Sequence, residues 1–305
     1  AWTVALGIAG VAWLLLPRGF PARWLGAVCL LPLVAMPVER PAPGEVMVRM
    51  LDVGQGLAVH VQTAHHDLLY DTGPAFSADA NSGNRIIVPY LRAIGVRKLD
   101  ALVVSHQDND HAGGAQAVLD AVPTSLLMSS IPEKHPLAAL PVPRRRCAEG
   151  EAWAWDGIRF EILHPLETDY ASARKSNALS CVLKVSAAGG ALLLTGDIEA
   201  REEAALLARL GDKLASDVLL PPHHGSRSSS SSGFLAGVAP RLTLVSAGYR
   251  NRFGHPAAEV LERLAKSGAA VRRTDAEGAL TLGFGRDGIA VSAERQARRR
   301  YWHGR

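Results

Sequence analysis

The stretch SHQDNDHAGG places His106, Asp108, Asp110 and His111 within six consecutive positions. Imidazole nitrogens and carboxylate oxygens at this spacing can converge on one cation, and the donor set suits zinc, manganese or iron better than calcium. A solvated loop is the ordinary explanation of a single histidine or aspartate, but it accounts poorly for four such residues after an apolar run. A calcium loop of EF-hand type fails on the residues themselves. Ala112 occupies its next ligand position, and Leu119 stands where the bidentate glutamate belongs. Further along, LLLTGD carries Asp197, which can bridge two ions, and LLPPHHGS carries His223 and His224, either of which can be the ligand.

Each of these residues follows a short β-rich run. HDLLYDTG ends in Asp71, DALVVSH leads to His106, ALLLTGD to Asp197 and SDVLLPPHH to the histidine pair, with VMVRM, LAVHVQT, IRFEILHP, SCVLKVSA and LTLVSAG as further strands. Helical spacing of apolar residues appears in GGAQAVLDAV, IEAREEAALLARL and PAAEVLERLAKSG. Strands with interspersed helices predict an α/β or α+β fold, in which loops at the C-terminal strand ends gather on one edge. Residues distant in sequence then meet in one site. Asp71 reads as a group that orients the ligands, with a turn-capping role for DTG as the rival reading.

The 305 residues are 48% hydrophobic and 20% charged with a net charge of +4, which predicts a globular chain and leans only weakly toward anionic partners. Residues 1–16 and 25–38 are apolar and shorter than the roughly 20 residues a spanning helix needs, so they read as short membrane helices or the end of one, or as a buried helical hairpin. Arg18 and Arg23 between them predict a cytoplasmic loop and a following domain on the opposite face. Residues 1–44 are expected to form this apolar segment and its proline-rich linker, and residues 45–305 the main domain. Cys29, Cys147 and Cys181 form no CxxC pair and suggest neither a disulfide framework nor a thiolate zinc site.

Taken in order, MLDVGQG, YDTGP, SHQDNDHAGG, SNALSCVL, LLLTGD, PPHHGSRSS and GHP resemble the metallo-β-lactamase superfamily. Within it they resemble the C-terminal domain of ComEC-type competence proteins, the membrane channels for DNA uptake. The resemblance covers about residues 45–290 and implies an αββα sandwich with one or two divalent ions, Mn, Mg or Zn, at the sheet edge. Asp110, His111, Asp197 and one of His223 and His224 match one metal site. The other keeps His106, Asp108 and the shared Asp197, because Asp108 replaces a usual histidine and SNALS, with Asn177 and Ser180 as groups beside the ligands, replaces another. That oxygen-richer site favours manganese or magnesium.

The resemblance also implies an inner- or cell-membrane protein whose upstream part forms the channel and whose soluble domain faces outward. A metal pair can activate water and stabilise charge on attacking and leaving oxygens, which suits a phosphodiester. The expected activity is hydrolysis of incoming DNA, with Asp110 and Asp197 at its centre. His255 of GHP would contact phosphate or pass a proton, against the alternative of a simple pre-proline turn. Ser226 and Arg227 can meet phosphates unless their serine tract is merely a flexible loop. The basic tail with Arg298, Arg299, Arg300 and Trp302 suits single-stranded DNA unless it is simply disordered. Two alternatives are a catalytically silent DNA-binding or structural module and a small-molecule metallo-hydrolase.

Overall fold

Two compact units divide the chain at Glu39 and Arg40 in the computed structural model, which describes residues 2–35, 39–172 and 175–300. The first unit holds the helix Trp2–Leu14 and two short helices, Leu25–Val28 and Leu31–Ala35. Gly10 and Gly26 let the first two helices touch closely, since a Cβ on Gly10 would stand 2.6 Å from the Gly26 carbonyl oxygen. Among the described residues no helix is long and apolar enough to cross a membrane, because the first helix stops after 13 residues. Trp2, Ile8, Leu15 and Trp24 nevertheless leave large apolar side chains exposed.

In the second unit, fifteen strands among the described residues form two sheets. The first sheet takes β1 (Val46–Met50), β2 (Val59–Gln62), β3 (Asp67–Tyr70), β4 (Ala101–Val104), β5 (Leu127–Ser129) and β6 (Arg144–Arg146). The second takes β7 (Ala152–Trp155), β8 (Ile158–His164), β9 (Val182–Ala187), β10 (Gly190–Leu194), β11 (Val218–Leu219), β12 (Leu242–Val245) and β13 (Ala270–Arg273). The hairpin of β14 (Leu280–Gly285) and β15 (Gly288–Ala293) returns to the first sheet, where β14 pairs antiparallel with β1. Strands β3 to β6 run parallel to one another, as do β10 to β13.

Side-chain alternation along the strands builds the layers. Leu68, Tyr70, Val103, Leu192 and Leu194 point into a core between the sheets. Their neighbours Leu69, Leu102 and Val104 face the helices Val88–Ala93 and Ala115–Ala121, while Leu193 faces the helices Ala200–Leu210, Ser232–Val238 and Ala258–Lys266. The result is the expected αββα sandwich. The C-terminal hairpin, β5 to β7 and β13 are additions to the strands legible in the sequence.

The serine tract is folded. Glu203 accepts from the backbone amides of Ser230 and Ser231, Ser229 donates to the Pro222 carbonyl at 2.6 Å, and Ser231 caps the helix Ser232–Val238. It supports the turn that carries His223 and His224.

A disulfide joins Cys147 and Cys181, which corrects the expectation from cysteine spacing. Cys147 follows the edge strand of the first sheet, and Cys181 precedes β9 of the second. Their 34-residue separation carries no local signal, since they meet only once the sheets stack. Closing a loop of that length stabilises by about 2–4 kcal/mol. The Cys147→Ser/Cys181→Ser double variant is expected to melt several degrees lower than the parent, and an unchanged melting temperature in differential scanning calorimetry would refute a stabilising role.

Candidate metal centre

Parallel strands of both sheets deliver the residues to one edge. Asp71 follows β3, His106 to His111 follow β4, Asp197 follows β10, and His223 and His224 lie in the turn Pro222–Gly225 after β11. Gly196 sits before Asp197 with φ of +54°, and a Cβ there would stand 2.8 Å from that of Ser180. Its left-handed backbone turns Asp197 inward at a position where other residues would be strained. His223 and His224 also have positive φ, 53° and 55°. Each such non-glycine residue costs about 1–2 kcal/mol, and together the two turns direct both imidazoles toward Asp197.

Asp110, His111, Asp197 and His224 each offer one ligand atom, and the four atoms lie within 4.8 Å of one another. His111 Nε2 stands 3.1 Å from Asp197 Oδ1, and His224 Nε2 stands 3.3 Å from Asp110 Oδ2. The other ring nitrogens define the tautomers. His111 Nδ1 donates to Asp71 Oδ2 at 2.8 Å, and His224 Nδ1 donates to the Ser246 carbonyl at 3.1 Å. In the neutral rings both Nε2 atoms therefore carry lone pairs, and they face each other at 3.2 Å beside two carboxylates. Asp197 Oδ1 is buried without a hydrogen-bond partner among the described residues. With both rings neutral, these four converging acceptors have no donor between them, a need that a cation or a proton on His111 meets.

Electrostatics agree. Burial works to lower the His111 pKa, but Asp197 and Asp71 outweigh it and raise it well above its ordinary value. Burial works to raise Asp197, yet His111 and His224 hold it well below the usual carboxylate range, and Asp110 is lowered against its own burial, chiefly by His224. The centre attracts positive charge, which a proton or a metal ion can supply.

The second oxygen of Asp197 faces a looser group. Oδ2 lies 3.7 Å from His223 Nε2 and 4.0 Å from His106 Nε2, which is 3.7 Å from Asp108 Oδ2. His106 Nδ1 is 3.0 Å from Ser105 Oγ, while its Nε2 is buried and has no hydrogen-bond partner among the described residues. Burial first, then His111, push the His106 pKa down to about 4, so the ring is neutral at pH 7. His223 Nδ1 faces Ser228 Oγ at 3.4 Å and Glu199 at 3.8 Å. The two neighbouring histidines thus sit beside different oxygens of Asp197, His224 in the tight cluster and His223 outside it.

Asp71 is fully buried and makes three contacts, with His111, the Ser105 amide at 2.6 Å and the Ser105 hydroxyl at 2.8 Å. Ser180 Oγ accepts from the Asp197 amide at 3.0 Å. Ser176 donates to Asp108 at 2.5 Å and more weakly, at 3.4 Å, to Asn177. Ser105 and Ser176 escaped the sequence reading, although Ser105 directly precedes His106 at the strand end. His255 meets His223 edge-on with ring centroids 5.7 Å apart and lies near-parallel to His224 at 6.5 Å, and burial followed by those two rings lowers its pKa.

The expected DNA contacts are not gathered here. Arg227 pairs with Glu259, Ser226 Oγ lies 3.2 Å from Ser228 Oγ, and Arg298 pairs with Glu294 on its own helix. Arg299 and Arg300 belong to the same C-terminal stretch, and Trp302 lies outside the described residues. Asn tolerates the left-handed backbone of Asp71, φ +58°. Asp71→Asn is expected to weaken metal binding about 10- to 100-fold with little change in circular dichroism. Unchanged affinity in a chelator-competition titration would show that Asp71 does not tune the centre.

A family model described as the metallo-beta-lactamase superfamily matches residues 51–248. Competence protein ComA of Neisseria gonorrhoeae is 42% identical over 289 residues, 94% of this chain and 39% of that protein. Recombination protein 2 of Haemophilus influenzae is 36% identical over 257 residues, 84% of this chain and 31% of that protein. The chain thus spans less than two-fifths of the length of these curated relatives. Among solved structures, Igni18, a metallo hydrolase from Ignicoccus hospitalis, aligns with TM-score 0.50 at 17% identity, covering 77% of this chain and 98% of that one, a likeness of fold alone. Asp71, His106 to His111, Asp197 and both late histidines fall inside the matched segment. The chain belongs to the metallo-beta-lactamase superfamily, and its competence-named relatives fit a ComEC-type protein.

Proposed function

We propose that this chain is the metal-dependent hydrolase domain of a DNA-uptake membrane protein and that it cleaves phosphodiester bonds in incoming DNA. The observation that carries this reading is the buried Asp197 carboxylate, with His111 and His224 on one oxygen and His106 and His223 on the other. Asp110 completes the first group and Asp108 the second. Ligands about 2.0–2.2 Å from an ion stand roughly 3–4 Å from one another, and the ligand atoms of Asp110, His111, Asp197 and His224, all within 4.8 Å of one another, come close to that requirement. A divalent ion held by these residues would supply Lewis-acid chemistry toward water and a phosphoryl oxygen.

The chain's own groups hold and orient. Asp71 and the Ser246 carbonyl hold Nδ1 of His111 and His224, so that Nε2 of each ring points at the carboxylates of Asp197 and Asp110, while Ser180 holds the Asp197 backbone. His255, next to both histidines, is the residue we propose to touch the phosphate. A silent DNA-binding or structural module is the second reading, favoured by the wider spacing on the Oδ2 side, which would hold an ion more weakly.

Two features support placing the domain on the outer face of a membrane. The buried disulfide is a bond of oxidising compartments, and Arg18 and Arg23 suit the cytoplasmic side. The exposed apolar residues of the first unit suit contact with lipid or with the rest of a channel.

Metal-stripped protein incubated with end-labelled single- and double-stranded DNA tests the activity. Cleavage is expected only with added manganese, magnesium or zinc, and Asp110→Ala and Asp197→Ala should each lower it at least about a hundredfold. DNA binding without cleavage under any ion would favour the silent module. Metal loading should also release about one proton near neutral pH, because the raised pKa of His111 leaves it protonated in the metal-free centre. Affinity should therefore rise with pH, while the depressed carboxylates stay ionised throughout. Calorimetry in buffers of different ionisation enthalpy reads the proton count, and a count of zero would contradict this charge assignment.

A further inference from the structure

The loop GYRNRFGHP, residues 248–256, leaves Tyr249 68% and Phe253 56% exposed beside the metal centre. Large apolar rings are not left in water by accident of disorder here, because the loop is tied down. The Gly248 amide donates to Gln55 at 3.2 Å. Asn251 donates to the carbonyls of Gly248 at 3.1 Å and His255 at 2.6 Å, and it accepts from the His255 amide at 3.0 Å. Gly248 approaches the Gln55 amide so closely that a Cβ would stand 2.7 Å from it. Arg250, between the two rings, adopts a left-handed backbone with φ of +51°.

Two cations stand between the two rings in this loop. The Arg250 guanidinium lies 5.2 Å from the Tyr249 ring centroid and that of Arg252 lies 4.9 Å from Phe253. Neither arginine makes an ion pair among the described residues. The arginine run 144–146 differs, since Glu133, Glu151 and Glu167 neutralise it. Phe253 also continues inward as a column of near-parallel rings. Its centroid is 5.9 Å from His255 at an interplanar angle of 26°, and His255 lies over His224 at 20°. An aromatic surface group is thus two ring contacts from a residue of the candidate centre.

We infer that Tyr249 and Phe253 form a stacking platform for unpaired nucleobases and that Arg250 and Arg252 bind the phosphates between them. The inference rests on the phosphodiesterase reading above and narrows its substrate to single-stranded nucleic acid. Bases have π faces that stack on such rings whatever their sequence, whereas paired bases keep those faces inside the duplex. Each arginine already rests on a ring, so a base can take that place while the guanidinium moves to a phosphate. The column through His255 places the chain beside the centre. An anionic membrane surface also attracts exposed rings and arginines, but it would make no use of the column leading to His224.

The test uses the full chain stripped of metal, so that binding is read without cleavage, with fluorescein-labelled oligo-dT and an abasic oligonucleotide of equal length. Tyr249→Ala/Phe253→Ala is expected to lose roughly 30-fold in affinity for oligo-dT and to bind the abasic strand like the parent. Phe253→Trp should restore binding, and its indole fluorescence should be quenched by oligo-dT. Arg250→Gln/Arg252→Gln should weaken both strands and flatten the salt dependence.

Several results would overturn the platform: no oligo-dT binding by the parent, equal affinity of parent and double variant, equal loss on both strands, or no quenching. Loss of binding to phosphatidylglycerol vesicles alone would assign the loop to a membrane instead. The hydrolase reading fails separately. Ring-dependent binding without cleavage under any ion removes the hydrolase and keeps the platform, whereas cleavage at the parental rate and affinity in the double variant does the reverse.

Discussion

A carboxylate removed from water and surrounded by imidazoles imposes the main constraint on this chain. Asp197 is fully buried at the end of a strand in the second sheet, while His106 and His111 come from the first. Burying a charge without a partner costs several kcal/mol, so Asp197 depends on the positive charge that His111 brings from the opposite sheet and His224 from its own. The C-terminal edges of β3, β4, β10 and β11 must therefore stay aligned.

Several bonds hold that alignment where the centre lies. The Tyr70 hydroxyl, from β3, donates to the Cys181 carbonyl at 2.6 Å, and the Cys181 amide donates to the Ser105 carbonyl at 2.9 Å. Both cross from one sheet to the other next to the ligands. The disulfide adds a covalent crossing from Cys147 to Cys181, one residue from the Ser180 that holds Asp197. Burial of Tyr70 among aliphatic residues pushes its pKa well above the ordinary value, and it stays a neutral donor. A single segment, 180–181, thus serves the stacking of the sheets and the position of the central carboxylate.

The sequence revealed what was local. His106 to His111 lie in one loop, and Asp71, Asp197 and the histidine pair each follow an apolar run, so their common edge could be inferred from strand ends alone. The order of the sheets needed more. The β14–β15 hairpin closes the first sheet against β1 at the far end of the chain, and no periodicity near residue 280 says so. The disulfide was hidden for the same reason. The division of labour between His223 and His224 was also out of reach, because it depends on two consecutive left-handed residues and on Ser246, which takes part through its backbone carbonyl and leaves no side-chain signal. The loop at residues 248–256 drew notice only for His255, since exposure of Tyr249 and Phe253 is a property of the folded surface.

That division changes the expectation about metal preference. Counting ligands from the motif alone leaves the side with His106 and Asp108 rich in oxygen. With His223 beside Asp197 Oδ2, both groups have two imidazoles and two carboxylates, and donor type no longer separates them. Geometry does. The group on Oδ1 is compact and mostly buried, with its tautomers held by a carboxylate and a backbone carbonyl. The group on Oδ2 is spread over 3.7 to 4.0 Å and includes the partly exposed Asp108 and His223. Preorganised ligands lose less freedom when an ion binds than ligands that must first be drawn together. On the proposed reading the two groups would therefore differ in affinity more than in chemical preference, with Asp110, His111, Asp197 and His224 the residues that would hold an ion more firmly.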